Sequence, residues 1–370
     1  MVDPCDVCGA AGRMMPLVEA GLPGLGVVRI HRCGGCGLRQ VRPRPVPGAL
    51  DALYDADYFD SSAAHGFQGY GRQRQRYDRD AYFLACELRR LAPTGRFLEV
   101  GSALGFLLAS LQPITGWEVE GVEVSAFGAW YARDRFGARV HRGGLEQVDL
   151  PAEAFDYVLQ KDVLEHVTHP RRHLEETRRI MRRRARLRVI TPNGEADVRP
   201  LLRAAARLRN DELPVLDQGH LSFFSRAQLL HLFEDVGFQV LRVRSIGVRR
   251  GLRALGVIPG WRSRTGVMRR AALTPRGGAA ASARTPAATG PAAEGGERQR
   301  QPRAAVGGGT PAADRRAEQA ARIDADIAAH HRRVRAWRPY FHYRRLVKRL
   351  DALPGVLAVG RDFDLLVEKR

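Results

Sequence analysis

The stretch RFLEVGSALGFLLASLQPITGWEVEGVEVS, residues 96–125, predicts a strand, a glycine-bearing turn, a helix and a second strand. Residues 97–100 are a short apolar run that ends at Gly101, a pattern typical of a buried parallel strand. A helix is predicted to begin at Phe106 and to end before Pro113, whose ring cannot continue it. A strand, a turn, a helix and a strand in this order indicate an α/β sheet.

The turn at 102–105 and the second strand at 119–124 together suggest a ligand site. Glycine in such a turn allows the backbone to approach a ligand closely, and the N-terminus of the following helix faces it. Glu123 lies near the end of the second strand, where a carboxylate can accept hydrogen bonds from both hydroxyls of a ribose. An ordinary tight turn in an α/β domain would show much of the same pattern.

The spacing Glu99-x-Gly101-x-x-x-Gly105, followed by Glu123, resembles motifs I and II of class I S-adenosyl-L-methionine (SAM) methyltransferases. That resemblance implies a Rossmann-like α/β sheet of seven mostly parallel strands with an antiparallel last strand. The family's usual middle glycine is Ala103 here, which narrows the conformational freedom of the turn. The cofactor-binding residues that the resemblance implies are Glu99, Gly101, Ser102, Gly105, Glu123, Val124, Leu145, Glu146 and Gln160.

Two later segments strengthen the resemblance. LEHV at 164–167 with Pro170 after it, and HLSFFS at 220–225, are similar to segments of the ubiquinone- and sugar-methyltransferase type (methyltransferase 23). The resemblance covers roughly residues 70–247 and the last strand. The lysine-proline-glycine turn usual in the family is replaced by residues 181–185, which contain no glycine. The further elements that the sequence predicts are helices at 70–91, 126–136, 171–184 and 226–236 and strands at 139–141, 155–160, 186–190, 239–245 and 361–368.

His166 would lie beyond the C-terminal end of the fourth strand, where ligands bind in open α/β sheets. It is the predicted catalytic residue, because a neutral imidazole can remove a proton from an acceptor hydroxyl. Two alternatives stay open. Glu165 and His166 could cap the next helix and hold the loop, or Asp162, Glu165, His166 and His220 could bind a divalent metal, as in a similar arrangement of related methyltransferases.

The N-terminal region contains two cysteine pairs, Cys5-x-x-Cys8 and Cys33-x-x-Cys36, each followed by glycine. Knuckles of this kind turn tightly, so that two of them place four thiolates around one zinc ion. The 24 residues between the pairs are predicted to form a hairpin. The sequence therefore predicts a structural, non-catalytic Zn²⁺ site in a zinc-ribbon-like module.

Net charge is +20 and the isoelectric point is about 10.8, which is typical of proteins that bind nucleic acid or anionic surfaces. Lysine occurs only at Lys161, Lys348 and Lys369, so the positive charge is almost entirely arginine. A GC-rich coding sequence produces much arginine, alanine and glycine without any selection for binding. The positive charge is therefore weak evidence for nucleic-acid binding. The N-terminus lacks the features of a signal peptide, and no apolar run of 18 residues exists, so we expect a cytoplasmic protein.

The chain is predicted to comprise five parts, namely a zinc-ribbon-like module (1–45), a linker and helical lid (46–95), a SAM-binding core (96–250), a low-complexity disordered insertion (251–312), and a helix with the final strand (313–370). The helix at 70–91 could instead be a solvated surface helix, and the basic segment 317–350 could bind RNA or an acidic glycan rather than pack on the core.

Three functions are therefore compared. The first is methyl transfer from SAM to a small hydroxylated or carbon acceptor, possible substrates being a nucleotide- or polymer-linked sugar or a secondary metabolite. The second is methylation of rRNA or tRNA, which predicts salt-sensitive RNA binding. The third is a non-catalytic zinc-binding interaction module, which loss of Glu99, Gly101 or Glu123 would have favoured; all three residues are present.

Overall fold

The computed structural model describes residues 4–22, 25–45, 54, 56–59, 70–216, 219–247, 267–269, 311–335, 352–354 and 361–370. Within them the strands are β1 (Met14–Leu22), β2 (Gly26–Cys33), β3 (Arg39–Arg42), β4 (Arg96–Val100), β5 (Glu118–Glu123), β6 (Arg139–Arg142), β7 (Phe155–Lys161), β8 (Met181–Pro192), β9 (Glu212–Pro214), β10 (Ser222–Phe223), β11 (Phe238–Ile246), β12 (Val267–Arg269), β13 (Ala352–Pro354) and β14 (Asp362–Lys369). The helices are α1 (Ala56–Phe59), α2 (Arg74–Leu91), α3 (Phe106–Leu111), α4 (Ala126–Phe136), α5 (Pro170–Ile180), α6 (Gly194–Ala205), α7 (Arg226–Val236) and α8 (Pro311–Arg335).

The central sheet has the strand order β13-β11-β14-β8-β7-β4-β5-β6. Strands β6, β5, β4, β7 and β8 are parallel, and β14 runs antiparallel to both β8 and β11. This confirms the predicted seven-stranded sheet with an antiparallel last strand, to which β13 adds a short edge strand. Because the first five strands are parallel, their C-terminal ends lie at the same edge of the sheet.

The sheet is buried on both faces, as parallel strands require. On one face, Phe97 and Tyr157 stack with ring centroids 5.9 Å apart beneath apolar residues of α2 and α3. On the other face, α5 and α7 cover Leu98 and Val158. Each fully buried side chain of this size stabilises the fold by about 1.5–3 kcal/mol, so these two layers hold the sheet edge in a fixed shape.

The N-terminal region forms a second, four-stranded sheet in the order β1-β2-β3-β10. Its strand β10 belongs to the later part of the chain and pairs antiparallel with β3 through Ser222↔Gln40 and Phe223↔Arg39. The predicted hairpin between the cysteine pairs is confirmed by β1 and β2. Arg171 at the start of α5 also donates hydrogen bonds to the carbonyls of Asp6 and Val7. The N-terminal region is therefore joined directly to α5 and β10 of the later part of the chain.

The prediction for the end of the helix at 171–184 was wrong. Helix α5 ends at Ile180, and β8 begins at Met181 rather than at Arg186. The pairing of β8 with β7 shifts register between Phe155 and Tyr157, so residues 182–185 bulge out of the ladder. Arg184 within this bulge adopts a φ of +60°. The exposed, arginine-rich bulge has no apolar periodicity, which is why the sequence does not separate it from the preceding helix.

Several predictions concern residues at the margins of the described structure. Strand β12 lies inside the segment 251–312, which is predicted to be disordered, and it pairs with β9. The prediction was therefore wrong for the three residues of β12. Most of 251–312 lies outside the described residues. Helix α8 begins at Pro311, earlier than predicted, and buries Ala320 and Ile323 against the core. The aromatic residues of its predicted continuation lie outside the described residues. Within the described residues, no helix is long and apolar enough to cross a membrane.

Candidate active site

A cavity of about 890 Å³ opens at the C-terminal edge of the central sheet. It is lined by the residues that end β4, β5, β7 and β8, and by the aromatic residues of the segment before α2. The volume lies in the range of about 300–1,000 Å³ that is typical of ligand sites, and the position is the one at which open α/β sheets bind ligands.

Glu123 lies at the wall of this cavity and is held in place by the backbone. Its Oε2 accepts a hydrogen bond from the Ala103 amide at 2.6 Å, and its Oε1 accepts one from the Ser125 amide at 2.8 Å. Burial raises the pKa of Glu123 while these two amides favour the charged form. The carboxylate is therefore fixed at the end of β5, where the sequence predicts a ribose-binding group.

Glu99 and Gly101 form the floor beside it. Gly101 has a φ of +75°, and a Cβ at this position would lie 2.6 Å from Cγ2 of Val163, so only glycine fits. Glu99 is 4% exposed, and its Oε2 has no hydrogen-bond partner. Burial raises its pKa to about 8. A buried acidic oxygen without a partner is costly, so this floor is suited to a positively charged ligand group.

Three of the predicted cofactor residues do not line the cavity. Ser102 points towards Gly121 of β5, and Gly105 packs against α4, where a Cβ would lie 2.6 Å from Cβ of Ala132. Gln160 lies on the opposite face of the sheet and donates a hydrogen bond to Thr177 at 2.8 Å. Since alternate residues of a strand face opposite sides, Gln160 is turned away while its neighbours Leu159 and Lys161 line the cavity.

The other predicted residues, Val124, Leu145 and Glu146, line the cavity at its β5–β6 side. The carboxylate of Glu146 lies 2.9 Å from Nδ1 of His173. Burial opposes ionisation of Glu146, but His173 outweighs it and the pKa of the carboxyl is lowered. The cavity thus brings together Glu99, Gly101, Glu123 and these three residues from three separate segments of the sequence.

The opposite side of the cavity contains Glu165, His166 and His220. One ligand-type atom from each residue lies within 4.8 Å of the other two. The rings of His166 and His220 meet edge to face with centroids 4.9 Å apart. The backbone fixes this arrangement, because the Glu165 carbonyl accepts hydrogen bonds from the amides of Leu221 and Ser222.

Each member of this trio has an outer contact. Thr191 donates to Oε2 of Glu165 at 2.9 Å, and Asp197 lies 2.9 Å from Nδ1 of His220. Burial lowers the pKa of His166 to about 3, so its imidazole is neutral. Burial raises the pKa of Glu165 to about 8. Asp162, the fourth residue in the metal alternative, lines the cavity but contributes no atom to the trio.

The sequence analysis missed several residues of the site. Tyr54 lies before α1, and its hydroxyl is 3.0 Å from Nδ1 of His166. Asp197 is in α6, within the insert between β8 and β10, and it also forms an ion pair with Arg361 near the C-terminus. No motif marks these residues. Asp197 lies in the first turn of α6 together with Glu195, where acidic residues are common. Only the fold shows that it contacts His220.

The four cysteines of the N-terminal knuckles also meet. Sγ of Cys5 lies 3.6 Å from Sγ of Cys36, Sγ of Cys8 lies 3.6 Å from Sγ of Cys33, and all four sulfurs lie within 4.8 Å of one another. Although burial opposes it, backbone amides lower the pKa of Cys33 to about 7, which favours the thiolate. The described part of the chain therefore contains a compact four-sulfur cluster, as the spacing predicts.

Comparison with solved structures gives many similar folds at low similarity. A SAM-dependent methyltransferase from Thermotoga maritima is 28% identical, with 48% of this chain and 79% of that one covered and a TM-score of 0.35. A SAM-dependent methyltransferase from Mesorhizobium loti is 17% identical, covering 45% and 85% with a TM-score of 0.36. The [4+2]-cyclase SpnF is 16% identical, covering 88% and 98% with a TM-score of 0.44. No curated protein matches the chain.

The comparison with protein families is the informative one. The family model Methyltransf_23, described as a methyltransferase domain, matches residues 70–243. This span includes the elements from α2 to most of β11, and with them Glu99, Gly101, Glu123 and the trio of Glu165, His166 and His220. The class that the sequence motifs predict is thereby confirmed. Residues 70–243 therefore match a methyltransferase domain, and this part of the chain has the fold of a SAM-dependent methyltransferase.

Proposed function

We propose that the protein transfers the methyl group of SAM to a small hydroxylated or carbon acceptor, such as a sugar or a secondary metabolite, bound next to Glu165, His166 and His220. SAM supplies an electrophilic methyl group on a sulfonium. The protein contributes mainly the positioning of donor and acceptor within one water-poor cavity.

The donor side of this proposal is supported by the unpartnered Oε2 of Glu99. SAM carries a positive sulfonium and a positive ammonium group, and a buried acidic floor at Glu99 is complementary to such charge. Glu123 would hold the ribose, Gly101 would give room for the amino-acid part, and Leu145 with Glu146 would frame the adenine. Ser102 and Gly105 would act by shaping the turn rather than by contacting the cofactor.

The acceptor side is supported by the size and lining of the cavity. About 890 Å³ is shared between donor and acceptor, so the acceptor that fits beside SAM is a small molecule or a single projecting group of a larger one. Tyr54, Tyr58 and Phe59 cover this side with aromatic rings. A narrow aromatic cover favours a sugar- or metabolite-sized acceptor over an RNA duplex.

The sequence predicts His166 as the base that removes the acceptor proton. Its ring lines the cavity and is neutral, which a base requires. With a pKa of about 3, however, it is a weak proton acceptor, since an efficient base has a pKa close to the working pH. His166 would therefore accept the proton only once bonding to the methyl group has made the hydroxyl more acidic.

We propose in addition that the four cysteines bind one structural Zn²⁺. In a tetrahedral site with Zn–S distances of about 2.3 Å, sulfurs are about 3.8 Å apart. The two Sγ–Sγ distances of 3.6 Å are close to this value. Four protein ligands leave no open position, so this zinc would hold the N-terminal sheet and take no part in the reaction.

Calorimetry with S-adenosylhomocysteine (SAH), followed by transfer of tritiated methyl groups, tests the proposed reaction. We expect one SAH per chain and label in a pool of nucleotide sugars or small phenolic and sugar acceptors. Label in total RNA with a steep salt dependence would instead favour the rRNA or tRNA alternative. SAH binding without label in any pool would contradict the proposed acceptor class, and absence of SAH binding would contradict the proposed cofactor residues.

A further inference from the structure

Lys161, the last residue of β7, is the lysine that lines the cavity. Two arginines of the same lining are paired. Arg188 donates hydrogen bonds to both carboxylate oxygens of Asp364, and Arg361 forms an ion pair with Asp197. The half-buried amine of Lys161 forms no ion pair and no hydrogen bond with the residues that the structure describes. A cation partly removed from water without an anion is unfavourable unless a ligand supplies one.

An aromatic ring holds this amine in a fixed place. Nζ of Lys161 lies 4.7 Å from the centroid of the Tyr77 ring in α2, within the range of a cation–π contact. The hydroxyl of Tyr77 lies 3.0 Å from the hydroxyl of the buried Tyr70, so the ring is itself held. The face of a ring attracts the charge but offers no oxygen to the three N–H groups of the amine. These donors therefore remain for a ligand.

Glu99 lies near Lys161 on the neighbouring strand β4, and both residues line the cavity. Burial raises the pKa of the Glu99 carboxyl to about 8, whereas the charge of Lys161 favours its ionised form. The two side chains form no ion pair with each other, and Oε2 of Glu99 has no hydrogen-bond partner. An acidic and a basic group thus face the cavity side by side. This arrangement is complementary to a ligand that carries both charges close together.

We propose that the amine of Lys161 binds the carboxylate at the amino-acid end of SAM. This inference rests on the proposed function, in which Glu99 faces the ammonium group of the cofactor. In SAM the ammonium and the carboxylate are attached to the same carbon atom, so the side chains that bind them must be neighbours. Lys161 meets this condition and has unused N–H donors, which form strong hydrogen bonds with a carboxylate.

Lys161 would then determine which donor the cavity accepts. A donor that lacks the carboxylate would bring its sulfonium and its amine close to Lys161 with no anion between them. Repulsion between these like charges would reject it, whereas the complete amino-acid end is attracted. The cavity is therefore expected to select the carboxylated donor over its decarboxylated form.

Calorimetry with SAH and with S-adenosyl-3-thiopropylamine, which is SAH without the carboxylate, tests this selection. The wild type should bind SAH at least tenfold more tightly than the amine, and Lys161→Met should reduce this preference to within about threefold. Lys161→Arg, which keeps the charge, should retain most of it. Arg76→Met is the matched control, since Arg76 is another cation of the lining but is paired with Asp80, and it should keep the wild-type preference within about twofold.

An undiminished preference for SAH in Lys161→Met would overturn the proposal. In that case the anion that Lys161 binds could only come from the acceptor, because the loop 162–167 of the acceptor side follows it directly. Label lost from nucleotide sugars but kept in neutral sugars in Lys161→Met would identify this second source. A wild type that binds neither SAH nor the amine would contradict the proposed function itself, so the two failures are distinguishable.

A second measurement does not depend on a variant's affinity. The chain has only three lysines, so protein labelled with ¹³C at lysine Cε gives three side-chain signals, and the one missing in Lys161→Met belongs to Lys161. SAH should shift this signal at least twice as far as S-adenosyl-3-thiopropylamine does, because only SAH brings a carboxylate to the amine. Equal shifts with both ligands would show that the carboxylate lies elsewhere and would overturn the proposal.

Discussion

Two of the four non-glycine residues with a positive φ in the described part of the chain are Ala103 and Arg184, with φ of +49° and +60°. This is the left-handed backbone conformation that glycine adopts most easily. They lie at the two places where the sequence departs from the methyltransferase pattern by lacking a glycine, namely the turn after β4 and the bulge at the start of β8. At both positions the backbone adopts the conformation that a glycine would adopt, and the side chain raises the free energy of that conformation. The departures therefore identify two positions of local strain.

Arg184→Gly should stabilise the protein. Glycine removes the cost of a left-handed side-chain-bearing residue, about 1–2 kcal/mol, and loses about 0.5–1 kcal/mol through greater freedom of the unfolded chain. The net gain we expect is about 0.5–1 kcal/mol in the free energy of unfolding, measured by urea denaturation. Arg183→Gly is the matched control, because Arg183 is an equally exposed neighbour without a positive φ.

The control should lose stability, since Arg183→Gly increases unfolded-chain entropy with no strain to relieve. Equal destabilisation by both substitutions would mean that Arg184 is not strained in solution. Both variants should bind SAH like the wild type, because the bulge lies at the end of β8 remote from the cavity.

Glu123→Ala should abolish SAH binding detectable by calorimetry, a loss of at least about 100-fold, since two hydrogen bonds to a charged group would disappear from the ribose. Glu118→Ala is the control on the same strand, because Glu118 is exposed at the other end of β5. An unchanged SAH affinity in Glu123→Ala would reject its ribose-binding role. Thermal unfolding of both variants should be compared, because Glu123 also holds the amides of Ala103 and Ser125.

At the scale of elements, Gly105 joins the cofactor turn to the packing of two helices. It is the residue before α3, and its missing Cβ allows α3 to approach Ala132 of α4. The sequence analysis assigned this glycine to the cofactor, because the spacing of motif I shows that a glycine is needed there but not what it makes room for. The contact that requires it comes from a helix 27 residues later in the sequence.

Gly105→Ala should therefore destabilise the protein by about 2–4 kcal/mol, because it combines a left-handed alanine with a steric clash in a packed core. Gly137→Ala is the matched control. Gly137 also has a positive φ, +60°, at the end of α4, but no atom lies within 4 Å of its would-be Cβ. The control should cost only about 1 kcal/mol in urea denaturation. Equal losses in both variants would show that the α3–α4 contact is not tight.

The elements whose ends are encoded locally were predicted well from the sequence. Helix α7 begins directly after its N-cap Ser225 and ends before Gly237, and α4 ends before Gly137, as expected. The predicted end of α5 was wrong because no glycine or proline follows Ile180 to mark it. Tertiary contacts were not predictable in the same way: Gln160 has a polar side chain in the right strand, yet strand alternation turns it away from the cavity.

At the scale of the whole molecule, the trio of Glu165, His166 and His220 is assembled from two loops separated by more than 50 residues, with Asp197 and Arg361 supporting it from further elements. The motifs indicated that Glu165, His166 and His220 matter, but only the fold shows that their side chains meet at one side of the cavity. The N-terminal sheet takes part in this assembly, because β10, two residues after His220, is its fourth strand. The cysteine cluster and the acceptor side therefore share one sheet.

Loss of zinc should for this reason disturb the acceptor side more than the donor side. In Cys33→Ser we expect zinc content, measured by mass spectrometry, to fall from one ion per chain to well below one, and the unfolding temperature to fall, because zinc coordination contributes directly to folding free energy. SAH affinity should stay within about threefold of the wild type, since the donor residues belong to the central sheet, whereas the rate of methyl transfer to the acceptor should fall. Cys86→Ser is the control, because Cys86 lies in α2 outside the cluster, and it should change none of these quantities. A Cys33→Ser protein that lacks zinc but keeps the wild-type unfolding temperature and rate of methyl transfer would show that the N-terminal sheet is held without metal and does not position His220.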